Sequence, residues 1–270
     1  MKQLNSSKNP ELKRLRLLFQ KPRERKKQGV FVIEGEREIK KVIKGSYSLE
    51  CLFIEAGQEV YFSDLLSTQN KTQIFTVEKT VFSQISIRSG SEKIIAIAQN
   101  KTHNLEQLKL PENALVLVIE APEKPGNIGA LYRTATAANM DAVIIANPKT
   151  DFYNPNSIRS SLGALFLLPT AIASSQEVIE YLKKQSFSIN TAAIEANAVA
   201  YDTFDYRPPC AIVLGTESTG LDRQWIEASN QNILIPMSEN VDSLNLSVSA
   251  GILMYEAQRK NKRLDMKTIL

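Results

Sequence analysis

The sequence is poor in the residues on which much hydrolytic and metal-dependent chemistry relies. Among 270 residues there is one histidine, His103, and there are two cysteines, Cys51 and Cys210. A metal site needs several clustered ligands, and a Ser-His-Asp arrangement needs its imidazole beside a nucleophile. His103 lies alone in the polar stretch "NKTHNLEQ" and reads as an exposed linker residue, so neither chemistry is favoured and no metal is expected. The cysteines fall in the apolar runs "ECLFI" and "PPCAIVLG", where buried free thiols are the ordinary case. No window approaches the roughly 18 apolar residues of a membrane span, and "MKQLNSSKNPELKRLRLLFQ" lacks the apolar core of a signal peptide. A cytoplasmic protein with no membrane partner is expected.

What is present is enough apolar residue for a sizeable core, 43% of the chain, and an uneven distribution of charge. The length fits one large domain or two smaller ones, and the pattern favours two. The net charge of +4 hides a basic end: residues 1–44 carry 14 Lys and Arg against 5 Asp and Glu, and the remainder 19 against 24. Such a run is usually a solvated face, but "LKRLRLLFQKPRERKKQG" also suits a phosphate backbone and salt-sensitive binding.

Helical and strand patterns alternate from "PELKRLRLLF" through "GVFVIEG", "EREIKKVIK" and "LECLFIE" to "KIIAIAQ", giving a small α/β unit that ends near Gln99. "NKTHNLEQLKLPEN" reads as a linker. Domains over 1–108 and 109–270 follow. In the second, "ALVLVIE", "AVIIA", "LPTAIAS", "FSINTAAIE", "CAIVLGT" and "QNILIPM" are apolar enough for parallel strands buried on both faces. Helical segments separate them, and the fold class is a doubly wound α/β domain with its site at the carboxyl ends of the strands.

Unusual residues collect in three loops of that domain. "EAPEKPGNIGALYRTA" joins a strand to a helix, and its glycines permit close backbone approach. Its spacing is not the G-x-G-x-x-G of a dinucleotide-binding turn, which weakens a nicotinamide oxidoreductase reading. Arg133 points away from the stripe of Leu131, Ala135 and Ala138, as an ordinary surface or ion-pair arginine also does. "VLGTESTGLDRQW" brackets four polar residues with Gly215 and Gly220, which a simple strand-to-helix turn also explains. In "LIPMSENVDSLNLSVSAG", where Pro236 ends a strand, Ser243 and Asn245 precede a helix patterned by Leu246, Ala250, Leu253 and Ala257. That is more polar residue than a cap needs.

Together, "PEKPGNIGALYRTA", "IVLGTESTGLD" and "ILIPMSENVDSLNLSVSAG" resemble the three motifs of the SpoU, or TrmH-like, RNA 2′-O-ribose methyltransferases of the SPOUT superfamily. The N-terminal segment with "GVFVIEGEREIKKVIK" resembles that family's ribosomal-protein-like RNA-binding domain. The resemblance implies a deep trefoil knot in the C-terminal domain, a rare exception to unthreaded chains, and a homodimer with active sites at the subunit interface. It implies S-adenosylmethionine as cofactor and RNA as substrate; by analogy with relatives the separate N-terminal domain favours ribosomal RNA, and transfer RNA is the alternative. Asn127 and Arg133 stand at the catalytic positions of the first motif, Glu217 at that of the second, and Ser243 and Asn245 at those of the third. Leu214, Gly215, Thr216, Ile235, Met237 and Leu244 stand at cofactor-binding positions. Arg14, Arg16, Arg23, Arg25 and Lys26 are the expected RNA contacts of the basic end. Arg159, with Ser161, is expected to touch RNA from "SIRSSLGALFLLP".

One departure is Ser218, where family members often carry Gly after the second-motif Glu; Gly220 remains to supply an unusual backbone angle. Loss of the motif residues would mark a non-catalytic RNA-binding relative, and here all are present. Without a histidine in these loops, and with an arginine of pKa above about 12 a poor resident base, Arg133 is better cast as a fork gripping a phosphate.

Overall fold

The computed structural model describes residues 1–68, 72–87, 92–216 and 219–263. The chain divides into two units, one of Met1–Thr102 with Tyr153–Leu167, the other of His103–Phe152 with Leu168–Leu270. This differs from the expected division at 108/109 in two places. Leu105 and Leu108, expected in a linker, are buried in the core of the second unit. Residues 153–167, expected in the second domain, belong to the first. Among the described residues no helix is long and apolar enough to cross a membrane.

In the first unit, β1 (Lys2–Leu4), α1 (Pro10–Gln20), α2 (Pro22–Gln28), β2 (Val30–Glu34), α3 (Glu36–Lys44), β3 (Leu49–Glu55), α4 (Ser63–Ser67), β4 (Gln73–Val77), α5 (Lys79–Ile85) and β5 (Ile94–Gln99) follow in order. The strands form one sheet, β1-β4-β3-β5-β2, with β5 antiparallel to both neighbours. Helix α1 starts on Pro10 and is capped by the Asn9 side chain; its Leu12, Leu15 and Leu18 are buried, each contributing about 1.5–3 kcal/mol relative to exposure. Residues 153–167 join this unit through aromatic packing. Phe31 stacks on Tyr153 at 4.4 Å and on Phe166 at 5.3 Å, and the Lys41 ammonium donates to the Leu162 carbonyl at 2.9 Å.

The second unit holds β6 (Leu115–Glu120), α6 (Pro125–Ala137) and β7 (Ala142–Ala146), and, after α7 (Pro155–Ser160) of the first unit, β8 (Thr170–Ala173), α8 (Ser175–Lys184), β9 (Ser188–Ala192), β10 (Val199–Ala200), β11 (Cys210–Leu214), α9 (Arg223–Ala228), β12 (Gln231–Leu234) and α10 (Leu246–Lys260). The sheet order is β10-β12-β9-β11-β6-β7-β8, and every pairing is parallel. Strands β6, β7 and β11 are buried throughout, which explains why their sequences are continuous apolar runs rather than alternating ones. Val116 and Val118 pack with Val178, Leu182 and Trp225, while α10 packs against β6, β11 and α6. Strand β12 ends at Leu234, two residues before Pro236.

Candidate active site

At the carboxyl ends of β9, β11 and β12 lies a cavity of about 440 Å³, within the roughly 300–1,000 Å³ typical of small-molecule sites. Leu214, Gly215, Thr216, Ile235, Met237 and Leu244, the six residues expected around the cofactor, all line it, as does Ser243. Ile194, Ile233 and Leu246 complete an apolar wall, and Glu195 and Asp242 bring carboxylates to its edge. A larger hollow of about 1040 Å³, lined by Leu105, Leu108, Tyr181 and Phe187, contains no motif residue.

The turn after β11 is built on two glycines. At Gly215 a Cβ would fall 2.1 Å from the Gly220 carbonyl oxygen and 2.6 Å from the Leu221 nitrogen, so the two backbone segments touch and no side chain fits. Gly220 has φ +65°, the left-handed angle expected of it, which glycine adopts without steric cost. The Gly220 amide donates to the Thr216 carbonyl at 3.0 Å, and the Thr216 and Thr219 hydroxyls lie 2.7 Å apart. Glu217 and Ser218 lie outside the described residues.

The third loop meets the first through two asparagines. Asn245 caps α10, its Oδ1 accepting from the Ser247 amide at 3.0 Å and the Ser247 hydroxyl at 2.6 Å. Its Nδ2 donates to Asn127 Oδ1 at 3.4 Å. The surplus polarity at this helix start therefore joins two loops as well as capping one. Helix α6 begins at Pro125, so Arg133 lies in its third turn. Leu131, Ala135 and Ala138 are fully buried and Arg133 is exposed. Arg133 does not line the cavity.

Several expectations need correction. Arg25 is only 3% exposed, and its guanidinium donates to the Leu18 and Phe19 carbonyls at 2.6 and 3.1 Å. It locks α1 to α2 and is unavailable to RNA. Arg14 is half-buried and held by Glu50 and by Gln28; the bond to Glu50 raises its pKa. Arg23, Lys26 and Arg159 are exposed and Arg16 half-buried. Ser161 is fully buried, donating to the Ile158 carbonyl and accepting from the Gly163 amide. His103 is half-buried rather than exposed, edge-on to Phe152 at 4.8 Å.

The sequence patterns do not single out Glu120, which the structure makes prominent. It is 4% exposed, and its two carboxylate oxygens accept from the Ser175 hydroxyl at 2.8 Å and the Asp222 amide at 2.9 Å. The one available signal was an acid closing the otherwise apolar strand "ALVLVIE".

Comparison with known proteins agrees with this geometry. Residues 114–255 match the SpoU rRNA Methylase family, and residues 9–96 match the MRM3-like substrate binding domain. The 23S rRNA (guanosine(2553)-2′-O)-methyltransferase of Bacillus subtilis strain 168 is 28% identical over 94% of this chain and 98% of its own length. An AdoMet-bound rRNA methyltransferase from Sinorhizobium meliloti superposes with a TM-score of 0.87 at 25% identity, covering 96% of this chain and 97% of that one. The crystal structure of an RNA 2′-O ribose methyltransferase superposes with a TM-score of 0.81 at 35% identity, covering 96% and 99%. With the family match spanning more than half of its length, the chain belongs to the SpoU rRNA methylase family.

Proposed function

We propose that this protein transfers a methyl group from S-adenosylmethionine to a ribose 2′-hydroxyl in ribosomal RNA. The observation that carries the reading is the cavity in which Leu214, Gly215, Thr216, Ile235, Met237 and Leu244 converge from two separate loops. Its chemistry suits the ligand: apolar walls for an adenine ring, hydroxyls of Thr216 and Ser243 for polar groups, and the Glu195 and Asp242 carboxylates for cationic ones. Bound there, S-adenosylmethionine supplies a methyl group already activated on a sulfonium centre.

Positioning supplies much of the acceleration in such an in-line transfer. Exposed Arg133 grips the phosphate beside the target ribose with its planar fork, leaving a phosphate oxygen to take the hydroxyl proton. Asn127 and Asn245, joined at 3.4 Å, hold the first and third loops together, Glu217 orients Asn127 or backbone donors, and Asn245 and Ser243 hold the loops around the cofactor. The basic first unit supplies RNA affinity through Arg16, Arg23 and Lys26, and Arg159 adds a further contact. The C-terminal domain threads as a deep trefoil knot whose last two motifs form the cofactor pocket, and two chains associate so that each site is completed at their interface. In support of association, Arg133 does not line its own chain's cavity. Val248 and Tyr255, seven residues apart on α10, are 50% and 45% exposed. The protein acts in the cytoplasm on ribosomal RNA, the substrate class named for the Bacillus subtilis relative.

Calorimetry with S-adenosylmethionine and, separately, with NAD tests the cofactor; saturable binding of the former alone is expected. Mapping 2′-O-methyl positions in RNA from a strain lacking the protein tests the substrate. One missing ribosomal methyl is expected, whereas a missing transfer-RNA methyl would overturn the ribosomal reading. Light scattering should give twice the chain mass.

A further inference from the structure

Three groups, Asn147 Nδ2, Trp225 Nε1 and the Asp222 amide, converge on the Ser175 hydroxyl and the Glu120 carboxylate, which are themselves hydrogen-bonded. Ser175, at the start of α8 and 1% exposed, donates to Glu120 Oε1 at 2.8 Å. It also accepts from Asn147 Nδ2 at 2.8 Å and from Trp225 Nε1 at 3.2 Å. A hydroxyl has one proton and two lone pairs, so Ser175 is saturated. The other carboxylate oxygen, Oε2, takes the Asp222 amide at 2.9 Å. Asp222 is the N-cap of α9 and directly follows Leu221.

The loop between β11 and α9 is held by this network. Its described residues Gly215, Thr216, Thr219, Gly220 and Leu221 form one wall of the 440 Å³ cavity. Thr219, Gly220 and Leu221 also border a second cavity of about 870 Å³, on the Glu120 side. The loop is thus a thin partition with space on both sides. At its start Gly215 is pressed against the backbone of Gly220 and Leu221; at its end the Glu120 carboxylate pins the Asp222 amide. We infer that Glu120 is a positioning residue for the cofactor: through Asp222 it fixes the partition that walls the S-adenosylmethionine cavity, without itself touching the ligand. The same network reaches Trp225, the single tryptophan of the chain, so Trp225 emission reports occupancy of the cavity.

This inference rests on the cofactor assignment above, and the experiment separates the two. Cofactor affinity is measured by calorimetry, Trp225 emission during the same titration, and turnover at saturating cofactor, on wild type, Glu120→Gln, Ser175→Ala and the exposed control Glu227→Gln. An amide at 120 turns one acceptor into a donor. That donor meets either the Asp222 N–H or a Ser175 oxygen whose lone pairs are already taken, so one end of the pin is lost. The expected result for Glu120→Gln is a dissociation constant raised about tenfold or more and a shifted resting emission, with turnover at saturation within about twofold of wild type. Ser175→Ala should move the same quantities in the same direction but less, and Glu227→Gln should not move them. Wild-type emission should change with the calorimetric dissociation constant. A role confined to folding would lower the melting temperature and leave the affinity of the folded protein unchanged; that result overturns the inference. If Glu120→Gln does not fold, unchanged affinity in Ser175→Ala overturns it, and weakened affinity there supports it. Wild-type protein that binds no S-adenosylmethionine would defeat the cofactor assignment and this inference together.

Discussion

Asn245 Nδ2 donates to Asn127 Oδ1 at 3.4 Å while Asn245 Oδ1 accepts from the Ser247 amide at 3.0 Å, so one side chain caps α10 and reaches the first motif. The two tasks separate by substitution. Asn245→Asp keeps the cap and places a carboxylate oxygen against an amide oxygen. Its melting temperature should stay close to wild type while methyl transfer falls sharply. Asn245→Ala loses both tasks and should also cost about 1 kcal/mol of stability. Melting curves and turnover on the same two proteins check this; equal turnover in wild type and Asn245→Asp would remove the asparagine pair from the mechanism.

Arg133 is exposed, and among the described residues its guanidinium has no hydrogen-bond or ion-pair partner. Its replacement should therefore change stability by no more than the about 0–1 kcal/mol of a surface charge. Arg133→Ala should nearly abolish 2′-O-methylation with S-adenosylmethionine affinity almost intact, and Arg133→Lys should restore little, since it keeps the charge and loses the fork. Near-normal turnover of Arg133→Ala on native RNA would show an ordinary surface arginine.

The two glycines of the second loop should respond differently. Gly220→Ala meets no steric obstacle at its Cβ and incurs only the left-handed backbone cost, about 1–2 kcal/mol. Gly215→Ala drives a methyl into the Gly220 backbone at 2.1 Å, which only a shift of the loop relieves. Calorimetry should find at least a tenfold weaker cofactor complex for Gly215→Ala. A wild-type dissociation constant would mean that the loop moves freely.

On the basic first unit, exposed Arg23 and Lys26 and half-buried Arg16 should act together, whereas buried Arg25 should not act with them. Replacing Arg16, Arg23 and Lys26 with Ala should weaken RNA binding and flatten its salt dependence, by about 0.7–0.9 in the log–log slope for each phosphate that is no longer neutralised. Cofactor affinity should be unchanged. Arg25→Ala should instead lower the melting temperature, because it strips the Leu18 and Phe19 carbonyls of their donor. An unaltered salt slope in the triple variant would move the RNA face elsewhere.

Alkaline pH should destabilise the protein in a definite window. Burial pushes the Cys51 and Cys210 thiols up to about 12 from the ordinary 9.0, and burial likewise raises the Tyr206 phenol. The folded state thus keeps protons that the unfolded chain releases. The stability these groups contribute is complete below about pH 9 and is lost as pH rises towards 12, at about 1.4 kcal/mol per unit for each thiol. Urea midpoints at pH 7.5, 9.5 and 10.5 should fall, and Cys51→Ala with Cys210→Ala should flatten the fall. A midpoint independent of pH would show that neither thiol is held protonated.

The alternation of apolar runs and helical stripes was sufficient to locate most elements. The helix expected from Leu246 has its observed end at Lys260, because its pattern and its cap are both local. The three loops were legible for a related reason: glycine, asparagine and arginine at fixed offsets are written along the chain, and the six expected cofactor residues, all from the second and third loops, share one cavity with Ser243. Where sequence and structure part, the deciding partners are distant in sequence. Arg25 resembles its basic neighbours until α1 and α2 fold back and bury it. Residues 153–167 lie between two strands of the second unit, yet Phe31, more than 120 positions away, draws Tyr153 and Phe166 into the first. Glu120 looked like the polar end of a strand until Ser175 and Asp222, 55 and 102 residues further on, supplied its partners. Local propensity and periodicity determined the elements and the motifs; burial and long-range hydrogen bonds, which no window of sequence contains, decided which charges face solvent and which hold the site in place.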